Sequence, residues 1–251
     1  MARDWDGRTY DRISGPMQDM AGPVLARLPL NGDETVVDAG CGSGRVTEQL
    51  RDRLPRGRVI AVDASAAMLE AARERCGDDR VEYVQADLTE LALDAPADAV
   101  LSTATFHWIR DQAALYRSLH GALRPAGRLV AQCGGEGNIA DVREAVGATI
   151  AAGEDIAAAL AGYDPWRFPA PEETLGHLAA AGFRDAEAWL QDWDVEAPDG
   201  RTWLRTINLG GHVERLGEAA LADRFIDEVH RRMGGDPLAI AYVRLNITAV
   251  A

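Results

Sequence analysis

Thr35-Val-Val-Asp-Ala-Gly-Cys-Gly-Ser-Gly44 decides how the rest of the chain is read. A β-branched run from Thr35 to Val37 meets an acid at Asp38, glycines follow at 40, 42 and 44, and Arg45 to Leu50 resumes with helix-forming residues. That order predicts a strand, a tight turn and a helix. Glycines let a backbone reverse sharply and approach a ligand closely, because no Cβ stands in the way. The helix beyond the turn aims its first N–H groups at whatever lies over it. The spacing, Asp38-x-Gly40-x-Gly42-x-Gly44, differs from the G-x-G-x-x-G of nicotinamide-binding loops.

A second feature lies about 20 residues downstream, where Val59-Ile-Ala-Val-Asp63 reads as a buried strand ending in a carboxylate. An acid there either accepts hydroxyl protons of a nucleotide ribose or satisfies the N-terminus of the helix that follows. Ser65 to Arg75 is the next helix, with Ala64 and Met68 at its start; Met68 is either near a bound base or simple core. Val81 to Gln85 alternates as a third strand and closes in Ala86-Asp87-Leu88, where Asp87 is either a ligand acceptor or a turn cap. Ala97 to Ser102 is strand four, and it delivers Thr103-Ala-Thr-Phe-His-Trp108 at its carboxyl end, where open α/β sheets bind ligands. Asp111 caps a helix with Leu115, Leu119 and Leu123 at every fourth position, and Arg128 to Cys133 is strand five.

Strand and helix alternate regularly from 35 to 133. Right-handed crossovers then call for a doubly wound, mostly parallel α/β sheet of seven strands with helices on both faces. Beyond it the rhythm changes. Helical insertions at about 134–170 and 197–236 form a cap, Pro171 to Ala181 is a helix ending at Gly182, Phe183 to Trp193 is strand six, and Ala239 to Thr248 is the last strand. Residues 1–32 read as a helical lid, with Met17, Met20, Val24 and Leu28 on one side and Pro16 and Pro23 interrupting it. Tyr10 and Gln18 in that segment are either ligand contacts or packing residues. The 251 residues suffice for one such domain, with 33–133 as its cofactor-binding core.

The formal net charge of −14 argues against nucleic acid or an anionic membrane as a partner. All 26 basic residues are arginine, which removes mechanisms that need a lysine: the phosphate-loop lysine, the Schiff base and the Tyr-x-x-x-Lys pair. Cys41, Cys76 and Cys133 make no C-x-x-C and are odd in number, so neither a disulfide framework nor a zinc site is expected. No apolar run approaches the roughly 18 residues of a membrane span, and the N-terminus lacks a signal core, so a cytoplasmic protein is expected.

With the glycine loop, Asp63, Asp87, Phe106-His107-Trp108 and Leu123-Arg-Pro-Ala-Gly127 in order, residues 33–133 resemble a Rossmann-like S-adenosylmethionine-dependent methyltransferase. Within that superfamily the chain most resembles the trans-aconitate methyltransferase group, which has an aromatic motif ending in Trp at the place of Trp108 and a Gln after strand five like Gln132. It departs from that group at His107, where Gln is usual, and at Ala126, where Gly is usual. The resemblance implies S-adenosylmethionine as methyl donor, S-adenosylhomocysteine as product and a small-molecule acceptor. The donor contacts it implies are Asp38, Gly40, Cys41, Gly42, Asp63, Ala64, Met68, Asp87, Leu88 and Thr103.

A carboxylate acceptor would need only a cationic anchor, whereas a hydroxyl would need a base. His107 is either that base or a pocket-lining ring, and Trp108 either walls the transfer site or packs in the core. Phe106, Trp166, Phe168, Asn208 and His212 are the further acceptor-pocket candidates, with packing as the competing role for the last four. A nicotinamide oxidoreductase and a non-catalytic adenosylmethionine-binding module are the alternative classes.

Overall fold

A computed structural model describes residues 20–77 and 79–251, so that Tyr10, Gln18 and most of the 1–32 segment lie outside the described residues. Strand β1 (Thr35–Ala39) lies inside the sheet, between β2 (Arg58–Asp63) and β4 (Ala97–Thr103), and pairs parallel with both. Beyond β2 comes β3 (Val81–Gln85), and beyond β4 come β5 (Leu123–Gly134), β7 (Leu238–Val250) and the edge strand β6 (Arg184–Ala197), giving the order β3-β2-β1-β4-β5-β7-β6. β7 alone is reversed in the sheet, pairing antiparallel with β5 and β6. The chain leaves β1 toward one side and returns at β4 on the other, so the loops after these two strands part and open a crevice.

The parallel strands are apolar on both faces because helices cover both. Val36 and Ala61 face one side, with α1 (Ala21–Ala26), α2 (Arg45–Arg53) and α3 (Ala66–Cys76). Val37 and Ile60 face the other, with α4 (Gln112–Ala122) and a later helix, Pro171–Ala181. Pro23 does not interrupt α1. It is the helix's third residue, where the N–H has no partner within the helix to lose.

Strands β6 and β7 reach further than their sequence pattern suggests, because they continue as a two-stranded ribbon past the end of β5. Pairing of β5 with β7 stops at Gly134 opposite Arg244, while β6 and β7 stay paired as far as Ala197 opposite Leu238. That ribbon carries the cap. Helices α5 (Ala140–Ala152) and α6 (Glu154–Ala159) follow β5, α7 (Pro171–Ala181) returns to the sheet, and the segment between β6 and β7 supplies the rest. Val142, Trp166, Trp203, Phe225, Ile226 and Ile240 belong to a third apolar cluster, distinct from the two on the sheet faces.

The insertion between β6 and β7 is broken rather than one continuous helix. It consists of α8 (Gly200–Trp203), a π-helical turn at Leu204–Asn208, α9 (Gly210–Leu216) and α10 (Ala219–Arg232), with Gly217 at φ +73° between the last two. Ala126 takes a left-handed φ of +65°, and its N–H donates to the Ala251 carbonyl, a conformation that glycine would adopt without strain. Among the described residues no helix is long and apolar enough to cross a membrane.

Candidate functional site

The turn after β1 is built by close approach. Gly40 and Cys41 both donate N–H to the Val62 carbonyl, at 2.8 and 2.9 Å, which ties the loop to β2. A Cβ on Gly40 would lie 2.2 Å from Thr105 Oγ1, so this glycine lets the β4 loop close against the β1 loop. Gly42, at φ +53°, is different: none of the described residues stands within 4 Å of where its Cβ would be, and it faces the crevice.

Asp63 is the hinge pin of this corner. Its Oδ2 accepts from Gly42 N–H and its Oδ1 from Ser65 N–H, each at 2.9 Å, so one carboxylate holds the loop to the start of α3. Each oxygen keeps a second lone pair for a ligand hydroxyl. Burial raises its pKa, and the backbone N–H groups of Ser65, Gly42 and Ala64 oppose that rise.

Asp38 lies below the loop rather than on the cavity wall. It is fully buried, and its Oδ2 accepts from Thr47 Oγ1 at 2.6 Å, joining β1 to α2. Burial pushes its carboxyl up to about 7, against the lowering effect of the Thr47 hydroxyl and with a push from Asp63. The folded chain therefore keeps this proton to higher pH than the unfolded chain does. The associated stability is complete below about pH 4 and is lost as pH rises toward 7. Urea denaturation at pH 4.5 and 7.5 is expected to show wild type losing stability relative to Asp38→Asn across that interval; equal pH dependence in the two would mean that Asp38 ionises normally.

A cavity of about 1090 Å³ runs from this corner to the cap. At the loop end it is lined by Gly40, Cys41, Gly42, Asp63, Ala64, Met68, Asp87, Leu88 and Thr103. Asp87 caps its turn, its Oδ1 accepting from Thr89 N and Oγ1 at 2.9 and 2.8 Å, and it also lines the cavity. At the cap end the lining includes His107, Trp108, Trp166, Phe168 and Asn208. Two of the acceptor-pocket candidates are elsewhere. Phe106 is buried in the core edge-on to Tyr116, with ring centroids 5.9 Å apart, because the short helical turn Phe106–Trp108 points it inward while exposing its neighbours to the cavity. His212 is buried behind the wall, 5.1 Å from Tyr163, 5.0 Å from Trp166 and 5.8 Å from Phe225 by ring centroid.

His107 sits in the wall with its protonation set by its neighbours. Its Nδ1 accepts from Gly134 N–H at 3.2 Å, which places the proton of the neutral ring on Nε2. Burial, and then the positive charge of Arg244, hold its pKa well below the ordinary histidine value. The lowered pKa keeps the ring neutral at neutral pH, with Nε2–H as its remaining donor.

Arg244 and Tyr242 are two of the lining residues that reading the sequence missed. Both are buried on one face of β7, and Asn246 continues the row, its Oδ1 accepting from Gln132 Nε2 at 2.8 Å and from Arg27 Nη2 at 2.6 Å. Their signal was present as Tyr, Arg and Asn at alternate positions of an otherwise apolar strand, Ala241 to Ile247.

Residues 37–131 match the methyltransferase domain family. The trans-aconitate 2-methyltransferase of Azoarcus sp. is 41% identical over 128 residues, 51% of this chain and 50% of that protein, so the chain spans about half the length of this relative. The trans-aconitate 2-methyltransferase of Methylobacterium nodulans is 30% identical over 251 residues, covering 92% of this chain and 93% of that protein. An S-adenosylmethionine-dependent methyltransferase from Mesorhizobium loti has a similar fold, with a TM-score of 0.56 at 21% identity over 92% of this chain and 96% of that one. Because the second likeness runs through the cap as well as the glycine loop and the Asp63 corner, this chain belongs to the methyltransferase family that includes the trans-aconitate 2-methyltransferases.

Proposed function

We propose that the chain transfers a methyl group from S-adenosylmethionine to the carboxylate of a small acid. The fit of the donor is supported by the open face at Gly42, by the spare lone pairs of Asp63, and by a cavity at the upper end of the size usual for one small ligand, with room for two. Asp63 would hold the ribose, and Asp87 and Leu88 the base. Bound there, S-adenosylmethionine supplies a methyl group already activated on a sulfonium. The acceptor's carboxylate electron pair forms the C–O bond while the C–S pair stays on sulfur, giving a neutral ester and releasing no proton. What remains for the protein is position and exclusion of water.

The observation that carries this choice is the chemistry of the acceptor end. Arg244 is a buried cation, and His107 Nε2–H is a donor. A hydroxyl acceptor would require His107 to take a proton at Nε2, which its bond from Gly134 opposes. A carboxylate is already ionised at neutral pH and needs only the donors. The two named relatives, both trans-aconitate 2-methyltransferases, support an acid as acceptor. The test is titration with S-adenosylhomocysteine and with NAD, followed by turnover on a panel of acids and phenols. Submicromolar to micromolar binding of the first nucleoside alone, and base-labile esters from acids but no ethers from phenols, is the expected result. Binding without turnover on either panel would mark a non-catalytic adenosylmethionine-binding module.

A further inference from the structure

The acceptor end of the cavity has two unlike poles. At one stands the guanidinium of Arg244, buried on β7. At the other stands Asn208, presented by the π-helical turn Leu204–Asn208. Tyr242, two residues from Arg244 on the same strand face, lies between them, a step of about 7 Å along a strand. Its hydroxyl accepts from Trp203 Nε1 and from Asn208 Nδ2, each at 3.0 Å. That bond orients the Asn208 amide and leaves its Oδ1 as a buried acceptor with no hydrogen-bond partner among the described residues, in a residue only 5% exposed that lines the cavity. A buried carbonyl in this state is costly until a ligand N–H or O–H reaches it. The walls between the poles are aromatic. Trp166 and Phe168 stack with centroids 6.1 Å apart and planes 17° from parallel, and Trp108 lines the same space.

We propose that the preferred acceptor is a flat, conjugated monocarboxylic acid bearing a neutral hydroxyl or amide N–H at its far end. Its carboxylate lies on Arg244, its O–H or N–H donates to Asn208 Oδ1, and its unsaturated body lies against the aromatic wall. The proposal rests on the ester-forming reading above and narrows it. It also separates this chain from its named relatives' acceptor. Trans-aconitate carries three carboxylates and, at neutral pH, no O–H to offer. Its further negative oxygens would face the Asn208 carbonyl oxygen and the π-faces of the aromatic walls, both of which repel anions.

The experiment compares kcat/KM for methyl ester formation from 4-hydroxycinnamate, cinnamate and trans-aconitate, with products assigned by mass and by base hydrolysis. The hydroxy acid is expected to exceed cinnamate by about 5- to 100-fold, the scale of leaving one buried acceptor unpaired, and to exceed trans-aconitate as well. In Asn208→Leu the ratio of hydroxy acid to cinnamate is expected to fall to about 1. Should that variant fail to fold, the wild-type ratios decide alone. A wild-type ratio of 1 or less, or a preference for trans-aconitate, overturns the two-pole assignment and leaves ester formation standing. A methyl ether at the hydroxyl reverses the orientation and overturns it too. If no acid yields ester while S-adenosylhomocysteine still binds, the ester-forming reading fails and this inference falls with it.

Discussion

Arg244→Gln is expected to lower kcat/KM on an acid acceptor by roughly 100- to 1000-fold while leaving the affinity for S-adenosylhomocysteine within a factor of about 2. Arg244 lines the cap end of the cavity, on β7, whereas the glycine loop and Asp63 stand at the other end. A buried guanidinium offers several donors in a fixed fork, and glutamine keeps the polarity but loses the charge that an anionic acceptor requires. A second measurement separates loss of an anchor from loss of a strand. Burial and the Arg244 charge together depress the His107 pKa, so removing the charge should move it back toward the ordinary value while burial still holds it low. NMR titration of the ring reads that shift directly. Unchanged turnover on acids, with the ring titrating as in wild type, would remove Arg244 from the site.

Asp63→Ala should weaken S-adenosylhomocysteine binding by about 1.5 to 3 kcal/mol, or roughly 10- to 150-fold, the scale for losing hydrogen bonds to a charged group. The structure adds a second consequence. Gly42 N–H and Ser65 N–H both donate to this carboxylate, so the variant also unpins the loop from α3, and thermal stability without ligand should fall. Asp63→Asn keeps one carbonyl oxygen but turns the other position into a donor facing a backbone N–H. It should fall between wild type and alanine in both measurements. If calorimetry gives an unchanged dissociation constant for Asp63→Ala, the ribose does not lie on this residue.

These predictions draw on two kinds of information that the sequence carried unequally. The strand-turn-helix at 35–53 was legible because it is local. A β-branched run, glycines at alternate positions and a helix-forming stretch each act within a few residues. The same holds for Asp63 at a strand end and for the regular alternation up to residue 133, where period-2 and period-3.6 patterns change at each boundary. Phe106 and His107 show where that reading loses resolution. They are adjacent in sequence, but a single helical turn sends one into the core against Tyr116 and leaves the other on the cavity wall.

The cap was harder to read for a different reason. The segment from 200 to 233 has enough helical pattern to read as one insertion, yet it breaks at Leu209-Gly210 and Gly217, and only the π-helical turn before the first break brings Asn208 to the cavity. For His212, four residues on, the sequence left a place in the acceptor pocket and a packing role both open. The break rotates it into the aromatic cluster behind the wall.

By itself, then, the sequence determined the sheet's parallel half, its glycine turn and the acid that pins it, because those follow from backbone freedom and hydrophobic period over short stretches. The acceptor end was decided by tertiary structure alone. Arg244, Tyr242 and Asn208 meet His107 there only because β7 runs antiparallel beside β5 and extends beyond it, while a distant π-turn folds back over the same strand. Contacts between residues more than thirty positions apart leave no periodic trace in either segment, so burial of a charge on β7 becomes visible only when the strand has found its neighbours.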